Sequence, residues 1–352
     1  MTNSRRLLLS ATLSVPLSAP FIRPARAART ISFAGPAGDF QTHYEASVIE
    51  GFRRAFPDIV VYYFPVTNSF QTLGALRTQR ALPQMDVAMM DAAVAKIATD
   101  EGLLERLTPD TLPIGRELLP QAFIPGVAGP AAMLDNLVLL YAPDKVRSEP
   151  TSWKLLWDNA HARQVAMPTP PDALGIAFTL VANKVFGGGD YRESLNAGLT
   201  AIGELSSRVQ TWDPKPDPYG FILDGGAALS IGWNSRGQSL ALRSFGRLAA
   251  AIPDEGSVFQ INTINLVRGG PETDAGRLFL SYALSAEAQK AFTERMFHTP
   301  VNTRAQIAPN ALARTAATPG RMAKMMDVNW SEIAKLRESI TEQWRRRIAR
   351  LR

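Results

Sequence analysis

Cysteine is absent from the 352 residues. That excludes a disulfide framework, a thiolate metal site and a cysteine nucleophile. It also excludes lipid attachment, which needs a cysteine at the cleavage point of an exported chain. Histidine is scarce: His43, His161 and His298 are the only three, far apart and with no HxxxH or HExxH spacing, so a histidine metal centre is not expected. The chain also lacks a GxSxG elbow, a phosphate-binding loop and a dinucleotide fingerprint. Gly187-Gly188-Gly189 follows a helical run and reads as its stop. Nothing calls for a cofactor or a metal.

The first 28 residues have the pattern of an export leader. Arg5 and Arg6 give a charged start, Leu7 to Val15 an apolar stretch, and Ala25-Arg26-Ala27 a small-x-small cleavage site. The apolar stretch is far shorter than the roughly 20 residues of a membrane span. Ser4-Arg5-Arg6-Leu7-Leu8 also fits a twin-arginine signal, so either the Sec or the Tat route would deliver a periplasmic protein without a lipid anchor.

Without the leader the charge balance changes. The formal net charge of +6 includes Arg5, Arg6, Arg23 and Arg26, and residues 1–28 contain no acid, so residues 29–352 carry about +2. A near-neutral chain has no electrostatic case for binding nucleic acid. The basic cluster from Arg345 to Arg352 reads as favourable charge at the end of a terminal helix.

From residue 30 the sequence alternates strand-like and helix-like segments. Thr30–Ala34, Ile59–Phe64 and Val87–Met90 read as strands. Thr42–Phe56, a helix capped by Ser69, and Ala92 to about Glu101 read as helices. Five prolines within 108–130 break the rhythm and predict a connecting segment over the surface. Ala131–Tyr141 is an apolar strand with Asp135-Asn136 at its centre, and it opens a second alternating block. That block has a helix near 152–158, strands at Val165–Met167, Val209–Trp212, Ala228–Trp233 and Leu248–Ile252, and helices at Ala173–Phe186 and about Tyr191–Gly203. Ser257–Val267 is a long strand placed to return to the first block, followed by helices at about Glu272–Leu284, Glu287–Arg295 and Ser331–Arg350. The pattern predicts an α/β protein with sheets covered by helices on both faces.

Seven stretches, in order, carry a resemblance. They are Ser69-Phe70-Gln71-Thr72-Leu73 through Pro83-Gln84-Met85-Asp86-Val87; Gly102-Leu103-Leu104; Pro150-Thr151-Ser152-Trp153 with Leu156-Trp157-Asp158; Val165-Ala166-Met167-Pro168; Trp233-Asn234-Ser235-Arg236; Pro253-Asp254-Glu255-Gly256; and Pro300-Val301-Asn302. Together they resemble the extracellular solute-binding proteins of ABC importers, in the group that holds spermidine/putrescine, ferric-iron and thiamine receptors. The resemblance implies a two-lobed type II periplasmic-binding-protein fold: two mixed sheets flanked by helices and joined by a hinge of crossing strands. The expected division is residues 29–135 as lobe 1, with 263–305 returning to it, 136–262 as lobe 2, and 306–352 as a C-terminal helical segment. It implies a monomer that closes on a small ligand and then docks on an inner-membrane permease.

The cleft would be lined by loops at the strand ends. Gly38 either lets a backbone approach a ligand or simply turns. Asn68 and Ser69 open a helix, as cap or as anion contact. Asp91 ends the third strand, placed to pair with a ligand amine or to cap the next helix. The resemblance puts Asp172 where polyamine receptors carry an amine-binding acid, with helix capping as the alternative. It puts Trp233 where an indole packs on ligand, with core packing as the alternative. Asn234 would cap a helix or touch ligand, and Trp212, with Tyr219, would sit in a Pro-rich loop forming one wall of the cleft.

The departures from that group shape the ligand expectation. Gln260 and Asn262 stand where polyamine receptors have Trp and Asp, and Thr169 replaces a companion acid. A dication site loses carboxylates it needs. No Tyr-Tyr pair lies in the second block, which disfavours iron; Tyr62-Tyr63 falls in a first-block strand. What remains suits a small amine-bearing or zwitterionic solute. The competing readings are a sensor that signals without feeding transport, and an enzyme using Asp91 with Asp172 across the cleft.

Overall fold

A computed structural model describes residues 29–348 of the chain. The export leader read in residues 1–28 lies outside the described residues. Among the described residues nine strands form: β1 (Arg29–Pro36), β2 (Ile59–Val66), β3 (Val87–Asp91), β4 (Ala131–Tyr141), β5 (Val165–Ala166), β6 (Val209–Thr211), β7 (Leu229–Trp233), β8 (Ala249–Ala251) and β9 (Phe259–Leu266). Their hydrogen-bonded order is β2-β1-β3-β9-β4-β7-β5-β6, with β8 pairing on β4. β2, β1 and β3 are parallel, as are β5, β6 and β7. β9 runs antiparallel to β3 and β4, and β4 antiparallel to β7 and β8.

The expected pair of mixed sheets is therefore one hydrogen-bonded path, continuous through a single shared strand. β4 carries the join. Its residues 131–136 pair with β9, and its residues 137–141 pair with β7. The side chains follow the same division. Ala131 to Leu134 pack in a first core with Ile31, Phe33, Phe52 and Phe279. Leu137 and Leu139 pack in a second core with Trp153, Phe178 and Leu180, while Val138 and Leu140 serve the opposite face with Tyr219 and Ile222. Strands buried on both faces read as continuous apolar runs, which is why β4 shows no alternation. The polar pair Asp135-Asn136 marks the point where the strand leaves one core for the other. Asp135 Oδ2 accepts from Ser235 Oγ at 2.6 Å and Oδ1 from the Ser235 N–H at 3.0 Å, so the buried carboxylate is satisfied.

Several of the recurring motifs acquire a physical reason. Trp153 is fully buried, and its Nε1 donates to the Gly256 carbonyl at 2.8 Å, while Ser152 Oγ donates to the Glu255 carboxylate. The Pro-Thr-Ser-Trp stretch thus fastens the turn that feeds β9. Asp86 ties the entry to β3 from both sides, accepting from Ser32 N–H at 2.9 Å and Glu272 N–H at 2.6 Å. Asn302 Nδ2 donates to the Leu284 carbonyl at 2.9 Å and pins the Pro300-Val301-Asn302 turn onto the first core.

Some local expectations shift. Thr42–Phe56 is one helical run, but a π turn at Glu45–Ile49 separates Asp39–Tyr44 from Glu50–Ala55. The helix near 152–158 is a 3-10 turn, Trp153–Trp157. The helix expected from Tyr191 begins at Asn196. Segment 108–130 is not only a surface crossing: Leu112, Leu118, Ala122 and Val127 are buried. The terminal helix Trp330–Arg347 is capped by Asn329, and Ile333, Ile340 and Trp344 sink into the second core. None of the helices among the described residues is long and apolar enough to cross a membrane.

Candidate functional site

A cavity of about 200 Å3 lies where the two cores face each other. From the first side it is lined by Phe70 and by Asp91 with the start of the helix Ala92–Asp100. From the second side come Ala173, Ile176 and Trp233, and β9 contributes Gln260 and Ile261. Trp330, Ile333, Ala334 and Arg337 of the terminal helix close it. Most of the wall is apolar and a few polar groups converge on it, as in small-molecule sites generally.

Asp91 is held in place from two directions. Its backbone N–H donates to Ser69 Oγ at 2.9 Å, and its Oδ1 accepts from the Val94 N–H at 3.0 Å. The alternative of capping is thus realised, and Oδ2 makes no hydrogen bond among the described residues. Ser69, expected as a cap, instead anchors Asp91. The cap of the helix Ser69–Thr78 is Asn68, whose Oδ1 accepts from the Gln71 N–H at 3.0 Å. Extended backbone at Asn68 and a free side-chain oxygen make it the better capping residue.

Trp233 is half-buried at the end of β7. Its backbone is held by Tyr219, which accepts from the Trp233 N–H at 2.5 Å and donates to its carbonyl at 3.2 Å. Tyr219 is itself buried, so its hydroxyl pKa lies above the usual range through desolvation, and it stays a neutral donor and acceptor. It does not form a cleft wall; it positions the residue that does.

Gln260 lines the cavity, and Asn262 sits half-buried on β9 in register with Asp91. Asp172 is exposed and caps the helix Ala173–Val185, accepting from the Leu174 N–H at 2.7 Å. Thr169 and Trp212 line a separate opening of about 430 Å3 beside Thr341, Trp344 and Arg345 of the terminal helix; Trp212 stacks edge-on against Trp344 with ring centroids 5.5 Å apart. Gly38 has φ 77° and lies exposed in front of the helix Asp39–Tyr44, outside the cavity. Asn234 neither caps nor reaches the cavity. It is fully buried, and its Nδ2 donates to the carbonyls of Phe297 at 2.9 Å and Arg314 at 2.8 Å. Its amide has two donors, and both are taken by main chain that no periodic pattern places nearby.

The structure thus brings Asp91, Trp233 and Gln260 around one cavity, with Ser69 behind Asp91. It does not bring Gly38, Thr169, Asp172, Trp212 or Asn234 there. Phe70, Trp330 and Arg337 were missed. Phe70 carried a signal, an aromatic in the first turn after a cap. Arg337 carried none, because a charged residue on an amphipathic terminal helix reads as its solvent face. No group of three or more acidic or histidine side chains among the described residues could hold a metal.

The family model for bacterial extracellular solute-binding proteins matches residues 49–320. The chain belongs to that family. Among curated relatives, the gamma-aminobutyric acid-binding protein of Pseudomonas aeruginosa is 25% identical over 226 residues, 62% of each chain. A putative 2-aminoethylphosphonate-binding periplasmic protein of Salmonella typhimurium is 25% identical over 285 residues, 76% of this chain and 77% of that one. The match to the first relative therefore spans a little under two thirds of its length. Among solved structures, a putative extracellular solute-binding protein from Bordetella parapertussis superposes with a TM-score of 0.79 at 21% identity, covering 92% of this chain and all of that one. The spermidine/putrescine-binding component of an ABC transporter from Streptococcus pneumoniae gives 0.72 at 13% identity, covering 90% and 98%. These structural likenesses carry the fold. Family members bind solutes, and the Salmonella and Bordetella relatives are described as periplasmic and extracellular binding proteins.

Proposed function

We propose that this chain captures a small amine-bearing or zwitterionic solute in the cavity between its two cores and delivers it to an ABC permease. The observation that carries this reading is the cavity itself: one face presents the Asp91 carboxylate and another the Trp233 indole. An ammonium group is recognised by a carboxylate and by the face of an indole, each adding to affinity when shielded from water. The volume sets the size. A cavity of about 200 Å3 suits a small solute better than a long polyamine. Relatives named for gamma-aminobutyric acid and 2-aminoethylphosphonate support a ligand of that class.

In this reading residues 29–135 and 263–305 form one lobe and residues 136–262 the other. β4 and β9 are the crossing strands about which the lobes close. The helix of segment 306–352 belongs with the second lobe. The mature chain works as a monomer in the periplasm after export, and no catalytic step is assigned to it.

The test is calorimetric titration of the mature chain with 4-aminobutyrate, 2-aminoethylphosphonate, putrescine and spermidine. The expected result is tight binding of a short zwitterion and at least tenfold loss in Asp91→Asn, which removes one charged partner. Binding of none of the four, or an Asp91→Asn variant that binds as the parent does, would sink the assignment.

A further inference from the structure

The family match ends at residue 320, yet four cavity-lining side chains come from the helix Trp330–Arg347. This helix is not an appendage. Trp330 Nε1 donates to the Phe259 carbonyl at 2.5 Å on the crossing strand, and Ile333, Ile340 and Trp344 are core residues. Trp344 Nε1 donates to Thr179 Oγ1 at 2.9 Å inside the second core. The helix also packs against Ala92–Asp100 of the first side. Arg337 is therefore presented by a fixed scaffold.

The cavity has a charge asymmetry that this residue resolves. Among the described residues, Asp91 supplies the only acidic side chain in the lining, and Arg337 the only basic one. Helix N-termini often take anions, and two of them open here, at Ala92 and Ala173. Both are already capped by carboxylates, Asp91 on Val94 N–H and Asp172 on Leu174 N–H. Their positive ends are answered from within the protein. An anion entering the cavity has one charged partner left. Arg337 Nη2 donates to the Pro171 carbonyl at 2.6 Å. That contact takes one of the guanidinium's five donors and leaves four for other partners.

We infer that Arg337 is a specificity-determining residue of the ligand cavity, taking the anionic end of a zwitterion whose amine lies at Asp91. The inference rests on the binding role proposed above and adds a second recognition point from a segment outside the family match. A fork of fixed planar donors suits a carboxylate or a phosphonate, and a lysine would not reproduce it. The two ends of the ligand are then read by different parts of the chain: the amine by the strand end at β3, the anion by the terminal helix.

The experiment compares 4-aminobutyrate with butylamine, which keeps the amine and lacks the anion, on the full mature chain. Titrations are run on the parent, Arg337→Gln, Arg337→Lys and, as a helix control, Arg346→Gln, whose ion pair with Glu342 faces solvent. Melting temperatures confirm folding. Arg337→Gln is expected to weaken 4-aminobutyrate by about tenfold or more and to leave butylamine within about twofold. Arg337→Lys should recover part of the loss and Arg346→Gln should change neither ligand. Equal loss for both ligands would make Arg337 a structural brace and overturn the inference, as would an Arg337→Gln variant that binds 4-aminobutyrate normally. A parent that binds neither compound would instead sink the amine-binding role, and this inference with it.

Discussion

Asp39 and Arg243, separated by 204 residues, meet at 2.6 Å between the helix that follows β1 and the helix that follows β7. One side chain belongs to each side of the molecule. The guanidinium holds the Asp39 carboxyl below its ordinary pKa, so the pair is charged at neutral pH. Both groups are half-exposed or more, 59% for Asp39 and 51% for Arg243. Such a pair contributes about 0–1 kcal/mol and is screened by salt. In the proposed closing of the lobes this pair joins one to the other, so Asp39→Asn should weaken ligand affinity by about two- to fivefold at low salt. The difference from the parent should vanish above roughly 0.5 M salt. Titrations across salt concentrations check this; a salt-independent difference would remove the ion pair as its cause.

Trp153 offers a test of the link between the second core and the turn before β9. Trp153→Phe keeps much of the packing but strands the Gly256 carbonyl that its Nε1 now satisfies. The cost should be about 1–3 kcal/mol. Trp153→Ala adds a large cavity and should cost about 3–5 kcal/mol. Urea midpoints at unchanged m-value would measure both, and a Trp153→Phe variant as stable as the parent would show that the hydrogen bond contributes nothing net.

Glycine substitutions separate strain from collision. Gly225 and Gly256 both have positive φ, 78° and 88°. A Cβ at Gly225 meets nothing, whereas one at Gly256 would sit 2.0 Å from the Lys324 carbonyl oxygen. Gly225→Ala should cost about 1 kcal/mol through backbone strain alone. Gly256→Ala should cost clearly more, because main chain has to move. Chemical denaturation of the two variants side by side gives the comparison, and equal costs would contradict it.

The stretches that read correctly from sequence share a physical property. β1, β3 and β7 are short apolar runs bounded by turn residues, and the helices at 69–78, 92–100 and 173–185 have their caps written one residue ahead, at Asn68, Asp91 and Asp172. Local chemistry decides such elements. Asp91 and Trp233 were legible as cavity-lining residues because a strand end fixes where its last side chain points. Asn234 was not, since its partners Phe297 and Arg314 come from a segment with no periodic signal linking it to residue 234. Arg337 was hidden for the same kind of reason: its place depends on how a whole helix docks.

His298 adds a dependence on pH. It is buried near the crossing strands, with Nε2 3.8 Å from Asp135 Oδ2, Nδ1 without a partner, and its ring stacked on Phe292. Burial lowers its pKa from 6.5 and outweighs the opposing pull of Asp135. The folded chain therefore keeps His298 neutral while the unfolded chain takes up a proton as pH falls through about 6.5. Stability should be full above that pH and fall below it, by at most about 1.4 kcal/mol per pH unit, until the folded-state pKa is reached. Asp and Glu titrate lower, so the window between about pH 7 and 5 isolates the effect. Urea unfolding across that window should show a slope in the parent and a flatter profile in His298→Gln; identical slopes would assign the dependence elsewhere.

β9 lies inside the sheet, hydrogen-bonded between β3 and β4, although it comes some 170 residues after β3 in the chain. During synthesis β1, β2, β3 and β4 are complete long before the strand that joins them exists. Until residue 266 emerges, the inner edges of β3 and β4 have no partner, and the first core lacks Ile264, Leu266 and Phe279. However fast the long-range pairing is once its strands exist, it has to wait for chain growth to pass residue 266. The nascent N-terminal half is thus held open by its own topology, and a chain cut short before β9 would leave a seam through the middle of a sheet and not merely a shorter protein.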